Sequence, residues 1–347
     1  MPKFDTQTQF TLAEPGRFEA VSAPVPVAVE AAGEALIRIR HIGVCGTDIH
    51  AFHGRQPFFE YPRILGHELG AEVISASAGS SLAPGDLVAV EPYLNDPASA
   101  ASRRGKTNCC EQLKVLGVHC DGGMRPVIAV PAGKLHVSRH LDTERLALVE
   151  MLCIGQHAVE RARVEPDEFA LVIGAGPIGM SVLQFLKTRT ARIAVADVSE
   201  SRLAFCRERL GIDRTLLVRR DNRVASELRE LSGAGELPTA VFDATGNAES
   251  MMGTFDLAAH GGRIVFVGLF QGEVRFDDPN FHRRELTVMS SRNATGGDFR
   301  RVIDAIESGT VDTEPWITHR FDLAEVPERF GAVIASPDLR KAVIEVG

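Results

Sequence analysis

Two kinds of apolar pattern divide the chain. In the first 150 residues the apolar positions come in short alternating stretches. Ala35–Arg40 (ALIRIR) places Ile37 and Ile39 on one face and Arg38 and Arg40 on the other, as in a strand with one buried side. Leu87–Val90 is a second such piece, and Gly and Pro turns separate them. From Phe169 the pattern becomes continuous. Phe169–Ile173 (FALVI) and Ala191–Asp197 (ARIAVAD) are unbroken apolar runs, expected of strands buried on both faces. Between them Ile178 to about Arg189 reads as a helical crossover; Ser199 is placed to cap the next helix and Gly211 to stop it. Ala240–Ala244 and Arg263–Leu269 (RIVFVGL) repeat the strand theme.

Parallel strands joined by helices predict a doubly wound α/β sheet behind a β-rich first part. The stretch from about Ser290 returns to mixed composition and is expected to rejoin the first part. The expected division is therefore 1–153 with 290–347, and 154–289.

Composition adds little to the fold but narrows the function. In 347 residues, 44% are hydrophobic and 24% charged, enough apolar material for two ordinary cores. Acidic residues exceed basic ones by 46 to 38, a net charge of -8 that argues against nucleic acid or anionic membrane as partner. No stretch has signal-peptide or membrane-span character, so a cytoplasmic location is expected. In a reducing compartment the six cysteines (Cys45, Cys109, Cys110, Cys120, Cys153, Cys206) read as thiols, metal ligands or core residues.

The first candidate chemistry follows the first continuous strand. Gly174-Ala-Gly176-Pro177-Ile178-Gly179 fits G-x-G-x-x-G between a strand and a helix. Gly174 allows the tight turn, Gly176 lets backbone approach a pyrophosphate, and Gly179 allows close helix–strand packing. The helix start then turns unpaired N–H groups toward phosphates. Asp197 closes the next strand where a carboxylate can accept from an adenine-ribose hydroxyl and repel a 2′-phosphate, which favours NAD over NADP. Pro177, Ile178 and Arg202 complete the candidate cofactor-binding set.

A second constellation is spread over three stretches: Cys45-Gly-Thr47-Asp48-Ile-His50, His67-Glu68 and Glu150. Zinc accepts sulfur, imidazole and carboxylate, and a catalytic site keeps one position open beside three protein ligands. Cys45, His67 and Glu150 supply such a set. Glu68, adjacent to His67, reaches the same ion only where the chain turns, which Gly66 permits, so it is cast as an occasional or supporting ligand. From the residues alone the bland alternatives stand: a core cysteine and a surface His–Glu hydrogen bond.

Taken together, GVCGTDIHAFHGRQPFFEYPRILGHE (43–68), KVLGVHCDGGM (114–124), DATGN (243–247) and SRNAT (291–295) resemble the zinc-dependent medium-chain dehydrogenase/reductase family over nearly the whole chain, in its sorbitol and sugar-acid dehydrogenase branch. The resemblance implies a GroES-like β-rich catalytic domain and a Rossmann NAD-binding domain. It implies NAD-linked oxidation of a secondary hydroxyl on a sugar acid or polyol of the L-galactonate or L-gulonate type, by an enzyme that is a homodimer or homotetramer. By position, Cys45, His67 and Glu150 match zinc ligands, Glu68 the glutamate beside the metal, and Thr47 and His50 a proton relay to solvent. Phe58, Phe59, His119, Phe270 and Arg292 match the substrate cleft, Arg292 being suited to grip a carboxylate. Arg263–Leu269 with Gln271–Phe276 resembles the segment through which subunits pair. Two departures stand out. Where the family often holds a structural zinc on four cysteines, this chain has Asp96, Ser99, Ser102 and Cys110, so one catalytic zinc and no structural zinc is expected. Met151 stands where a proline usually follows the glutamate. A dehydrogenase for L-threonine or simple alcohols, and a nucleotide-binding protein without catalysis, remain as alternatives.

Overall fold

The computed structural model describes residues 6–28, 33–57, 59–219 and 223–347. Phe58 lies outside them. The chain forms two compact units, residues 1–150 with 294–347, and residues 151–293.

The first unit is built on a seven-stranded sheet. Leu135–Ser138, Leu87–Val90, Glu68–Ala76, Glu34–Gly43, Lys341–Glu345 and Ile317–Asp322 follow one another across it, and Val127–Pro131 also pairs with Glu34–Gly43. The alternation in ALIRIR sends Ile37 and Ile39 fully inside and leaves Arg38 exposed. Those isoleucines join Ile42, Leu65, Val73, Val88, Ile128 and Ile344 in one apolar core. A smaller three-stranded sheet of Arg17–Pro24, Thr6–Glu14 and Arg63–Ile64 lies in the same unit. The strand Lys341–Glu345 comes from the end of the chain and pairs with Glu34–Gly43, which is how residues after 294 belong to this unit.

The second unit carries a six-stranded, wholly parallel sheet in the spatial order Arg214–Leu217, Ile193–Asp197, Ala170–Ile173, Ala240–Asp243, Arg263–Phe266, Thr287–Ser290. This is the doubly wound order in which the chain reverses direction across the sheet beside Ala170–Ile173, leaving a crevice at the strand ends. Ala170–Ile173 and Ile193–Asp197 are buried at every position, as their continuous apolar character requires. The helix Pro177–Leu186 crosses between them, and Gly211, at φ 66°, ends the helix Glu200–Leu210 in the left-handed conformation that glycine adopts freely.

Two details differ from the sequence expectation. The apolar run RIVFVGL is strand only through Phe266, because the amides of Val267 and Gly268 both turn to the Asp243 carbonyl (2.9 Å each). This strand is also interior: the sheet edge is Thr287–Ser290, and Gln271–Phe276 is irregular, so the segment matched to subunit pairing is not itself an edge strand here. No helix among the described residues is long and apolar enough to cross a membrane.

Candidate active site and cofactor crevice

Strand register assembles the first site. Gly43, at the end of its strand, is the direct partner of Glu68 on one side and of Val343 on the other. Lys341, two residues before Val343, shares the face of Val343 because side chains alternate along a strand. Glu68 and Lys341 thus meet across Gly43, where a Cβ would overlap the Glu68 carboxylate. The two form an ion pair with both side chains buried, and Lys341 Nζ also donates to the Val44 carbonyl at 3.0 Å.

His67 immediately precedes Glu68, and Gly66 supplies the turn at φ 93°, with the backbone of Gly123 and Met124 packed against it. That turn brings neighbouring side chains to one place. Ligand atoms of Cys45, His67 and Glu68 all lie within 4.8 Å of one another. Cys45 is half-buried at the start of the helix Gly46–Phe52, and His67 and Glu68 are buried. Asp48, on the first turn of that helix, accepts from the Cys45 amide through Oδ2 (2.9 Å) and presents Oδ1 to His67 Nδ1 at 3.6 Å.

The group is short of partners. Asp48 Oδ1, His67 Nδ1 and Glu68 Oε1 are buried without a hydrogen bond, a costly arrangement unless a cation completes it. Burial weakens proton binding by His67, but the charges of Asp48 and Cys45 outweigh it and hold the imidazole well above its ordinary range. Burial raises Asp48. A thiol, an imidazole and a carboxylate around one point are the donor set of a zinc site, so these residues fit the ion that the sequence predicts.

Glu150 stands outside that close group, although its charge is felt by His67. It lies on the first turn of the helix Val149–Ala162, and its Oε1 receives the Tyr93 hydroxyl in a buried hydrogen bond. Burial pushes its carboxyl up to about 6. The closest trio is therefore Cys45, His67 and Glu68, rather than Cys45, His67 and Glu150. Thr47 is half-buried and His50 exposed on the helix of Cys45; three residues apart, they are neighbours on the helix surface.

The other predicted substrate residues are dispersed. In the first unit, Phe59 packs edge-on to Tyr61 (4.8 Å between centroids) beside the core. His119 is exposed and accepts the Val115 amide at Nδ1 (3.1 Å), which leaves the ring proton on Nε2 when neutral. In the second unit, Phe270 is half-buried and Arg292 exposed, on segments after two of the strands. The positions matched to a structural zinc lie in one hydrogen-bonded lobe. Ser99 caps a short helix by accepting from the Ser102 amide (3.1 Å), Asn95 donates to the Ser102 hydroxyl (2.9 Å), and Asp96 N approaches Cys110 Sγ (3.3 Å). No disulfide joins the six cysteines.

The glycine-rich turn of the second unit has the expected construction. Gly174 has φ 93° and faces Thr245; a Cβ on Gly179 would overlap the Gly174 carbonyl oxygen. Gly176 opens the helix with Pro177 next, and a Cβ there would meet nothing within 4 Å, so its bareness exposes backbone to open space. The first intrahelical bond is made by Met180 to the Gly176 carbonyl, so the Ile178 and Gly179 amides precede the helical ladder. Asp197 accepts from Ala175 N (2.6 Å) and Ser199 N (2.7 Å), which ties the strand end to the turn, and Arg202 approaches it at 3.8 Å. These features fit a bound dinucleotide.

Comparison with known proteins agrees with both units. Residues 31–139 match the alcohol dehydrogenase GroES-like domain, and residues 177–308 the zinc-binding dehydrogenase domain. The L-galactonate-5-dehydrogenase of Escherichia coli K12 is 42% identical over 313 residues, 90% of this chain and 91% of that protein. The chain belongs to the zinc-binding alcohol dehydrogenase family. The D-altritol 5-dehydrogenase of Agrobacterium fabrum is 34% identical to this dehydrogenase, covering 90% of it and 92% of its own length. Among solved structures, the E. coli CFT073 short chain alcohol dehydrogenase rspB complexed with cofactor NADH superposes with a TM-score of 0.89 at 26% identity, covering 98% and 99% of the two chains. The dehydrogenase thus combines a GroES-like domain with a Rossmann-like parallel-sheet domain. Sequence reasoning did not assign Asp48, Tyr93 or Lys341. Asp48 was visible beside Thr47, but its partner His67 lies in another stretch.

Proposed function

We propose that this dehydrogenase is zinc-dependent and NAD-linked, and oxidises a secondary hydroxyl of a sugar acid or polyol of the L-galactonate or L-gulonate type to the ketone. The observation that carries the zinc reading is the Cys45–His67–Glu68 group, in which the buried His67 and Glu68 carry unpartnered atoms. The substrate class rests on the 42% identity to an L-galactonate-5-dehydrogenase.

Cys45 and His67 hold the ion with carboxylate support from Glu68 and Glu150. Bound there, zinc supplies Lewis acidity that eases loss of the hydroxyl proton. Asp48 Oδ1 faces the His67 ring at Nδ1 (3.6 Å), so Nε2 is the nitrogen that would ligate. Thr47 takes the proton inside the site and His50 passes it to solvent, since the two occupy adjacent positions running from half-buried to exposed. The Gly174–Gly179 turn would hold NAD, which would supply the hydride acceptor. Asp197, pinned by two amides, sets the preference for NAD by excluding a 2′-phosphate. Arg292 grips the substrate carboxylate. Each chain carries one zinc, because the lobe of Asp96, Ser99, Ser102 and Cys110 offers a single thiol. The open edge strand Thr287–Ser290 favours a homo-oligomer, which sedimentation velocity reads directly.

The deciding experiment follows NADH formation by zinc-loaded protein across aldonic acids, neutral polyols, L-threonine and simple alcohols. Turnover on L-galactonate, L-gulonate or near relatives is expected. Turnover confined to threonine or simple alcohols refutes the substrate reading, and two zinc ions per chain by elemental analysis refutes the single site.

A further inference from the structure

Tyr93 contributes a buried hydroxyl that the chemistry above does not use. It sits on the short strand Tyr93–Leu94, opposite Val115, with only 2% of its surface exposed. Its ring is held edge-on to Phe299 (6.3 Å, 75°). Phe299 in turn stacks on His136 (4.8 Å, 21°), and His136 Nε2 is bonded to Glu91 Oε2 at 3.0 Å. Lys134 completes that buried cluster by donating to Glu91 Oε1 and to Asn95. Tyr93 therefore has little freedom to move, and its hydroxyl is aimed at one oxygen of Glu150.

A carboxylate has two oxygens and can rotate between offering one or both to a cation. A hydrogen bond from a rigid donor removes that choice. We propose that Tyr93 is a positioning residue for the metal centre: its buried hydroxyl, donated to Glu150 Oε1, fixes the carboxylate so that Glu150 presents only Oε2 toward the Cys45–His67–Glu68 group. This rests on the metal-site reading above. It also accounts for Glu150 standing apart from the close trio, since the Tyr93 bond holds it back. Partners of ligating groups typically change metal affinity by about 10- to 100-fold when removed.

The test uses full-length protein loaded with Co2+ or Zn2+, comparing wild type, Tyr93→Phe, Glu150→Gln and the double variant. Two quantities are read: the visible d–d spectrum of the Co2+ form, and the Zn2+ dissociation constant by chelator competition. Tyr93→Phe keeps the ring against Phe299 and should alter the spectrum and weaken Zn2+ binding by about tenfold. Adding Tyr93→Phe to Glu150→Gln should then change neither. Wild-type spectrum and affinity in Tyr93→Phe overturn the proposal, as does an equal loss in the Glu150→Gln background, which would make Tyr93 a packing residue. Wild-type protein that takes up no metal overturns the metal-site reading and the proposal with it. Should Tyr93→Phe not fold, carbon-13 tyrosine NMR of unsubstituted Tyr93 decides. The chain has two tyrosines, so Tyr61→Phe assigns the signal. A shift of the Tyr93 ring signal on Zn2+ loading is expected, and its absence overturns the proposal.

Discussion

Lys341→Met isolates the ion pair that spans Gly43. Both partners are enclosed, Lys341 at 2% exposure and Glu68 at 0%. Methionine keeps the apolar stem and removes the ammonium, so the change deletes the ion pair with Glu68 and the hydrogen bond to the Val44 carbonyl without opening a large cavity. Removing one partner of a buried pair costs about 3–5 kcal/mol, because the remaining charge is left uncompensated. With a urea dependence of about 2 kcal/mol per molar, the unfolding midpoint of the first unit should fall by about 1.5–2.5 M. The assay is tryptophan fluorescence of metal-free protein in urea. The single tryptophan, Trp316, is buried in this unit and its indole N–H donates to the Asp312 carbonyl at 2.9 Å, so the signal reports this unit alone. Glu68→Gln added to Lys341→Met removes the orphaned charge and should recover most of the loss. A midpoint for Lys341→Met within about 0.3 M of wild type, less than 1 kcal/mol on that scale, would refute the reasoning.

Gly179→Ala forces the helix Pro177–Leu186 off the turn, because the new Cβ overlaps the Gly174 carbonyl oxygen and lies 2.8 Å from its carbon, both backbone. A stability loss of about 1–3 kcal/mol and a weaker NADH complex are expected, and an unchanged NADH titration contradicts the packing role. Asp197→Ala should erode NAD over NADP selectivity in kcat/KM, whereas unchanged selectivity would remove Asp197 from cofactor choice. Hydrogen bonding to the Arg263 guanidinium holds Glu168 down to about 2, against an ordinary value of 4.5. A depressed folded-state pKa stabilises fully above 4.5 and is lost as pH falls toward 2. Discounted for partial exposure, the pair is worth about 1–2 kcal/mol. Glu168→Gln should flatten stability against pH in that window, and an unchanged slope rejects the assignment. Arg292→Ala should raise KM for sugar acids more than for neutral polyols, while equal effects would discard the carboxylate grip.

What could be read from the residues follows from how local each signal is. In the second unit, strand, turn and helix are consecutive, so the apolar runs and the Gly174–Gly179 spacing carried both the sheet and the turn. The ends of strands were less legible: apolar character continues to Leu269, but pairing stops at Phe266 where the Val267 and Gly268 amides turn aside. In the first unit the metal-ligand types were visible as residues, while their arrangement depends on pairing between distant strands. Nothing near Glu68 in the chain points to Lys341, and nothing near Glu150 points to Tyr93. Gly43 shows the reason most directly. It is the first residue of GVCGTD, and it lies in a strand beside Glu68 and Val343. Its contribution is the missing side chain: a Cβ there would overlap the Glu68 carboxylate, so glycine is what lets Glu68 and Lys341 meet. That constraint belongs to three strands at once and appears only when their register is known.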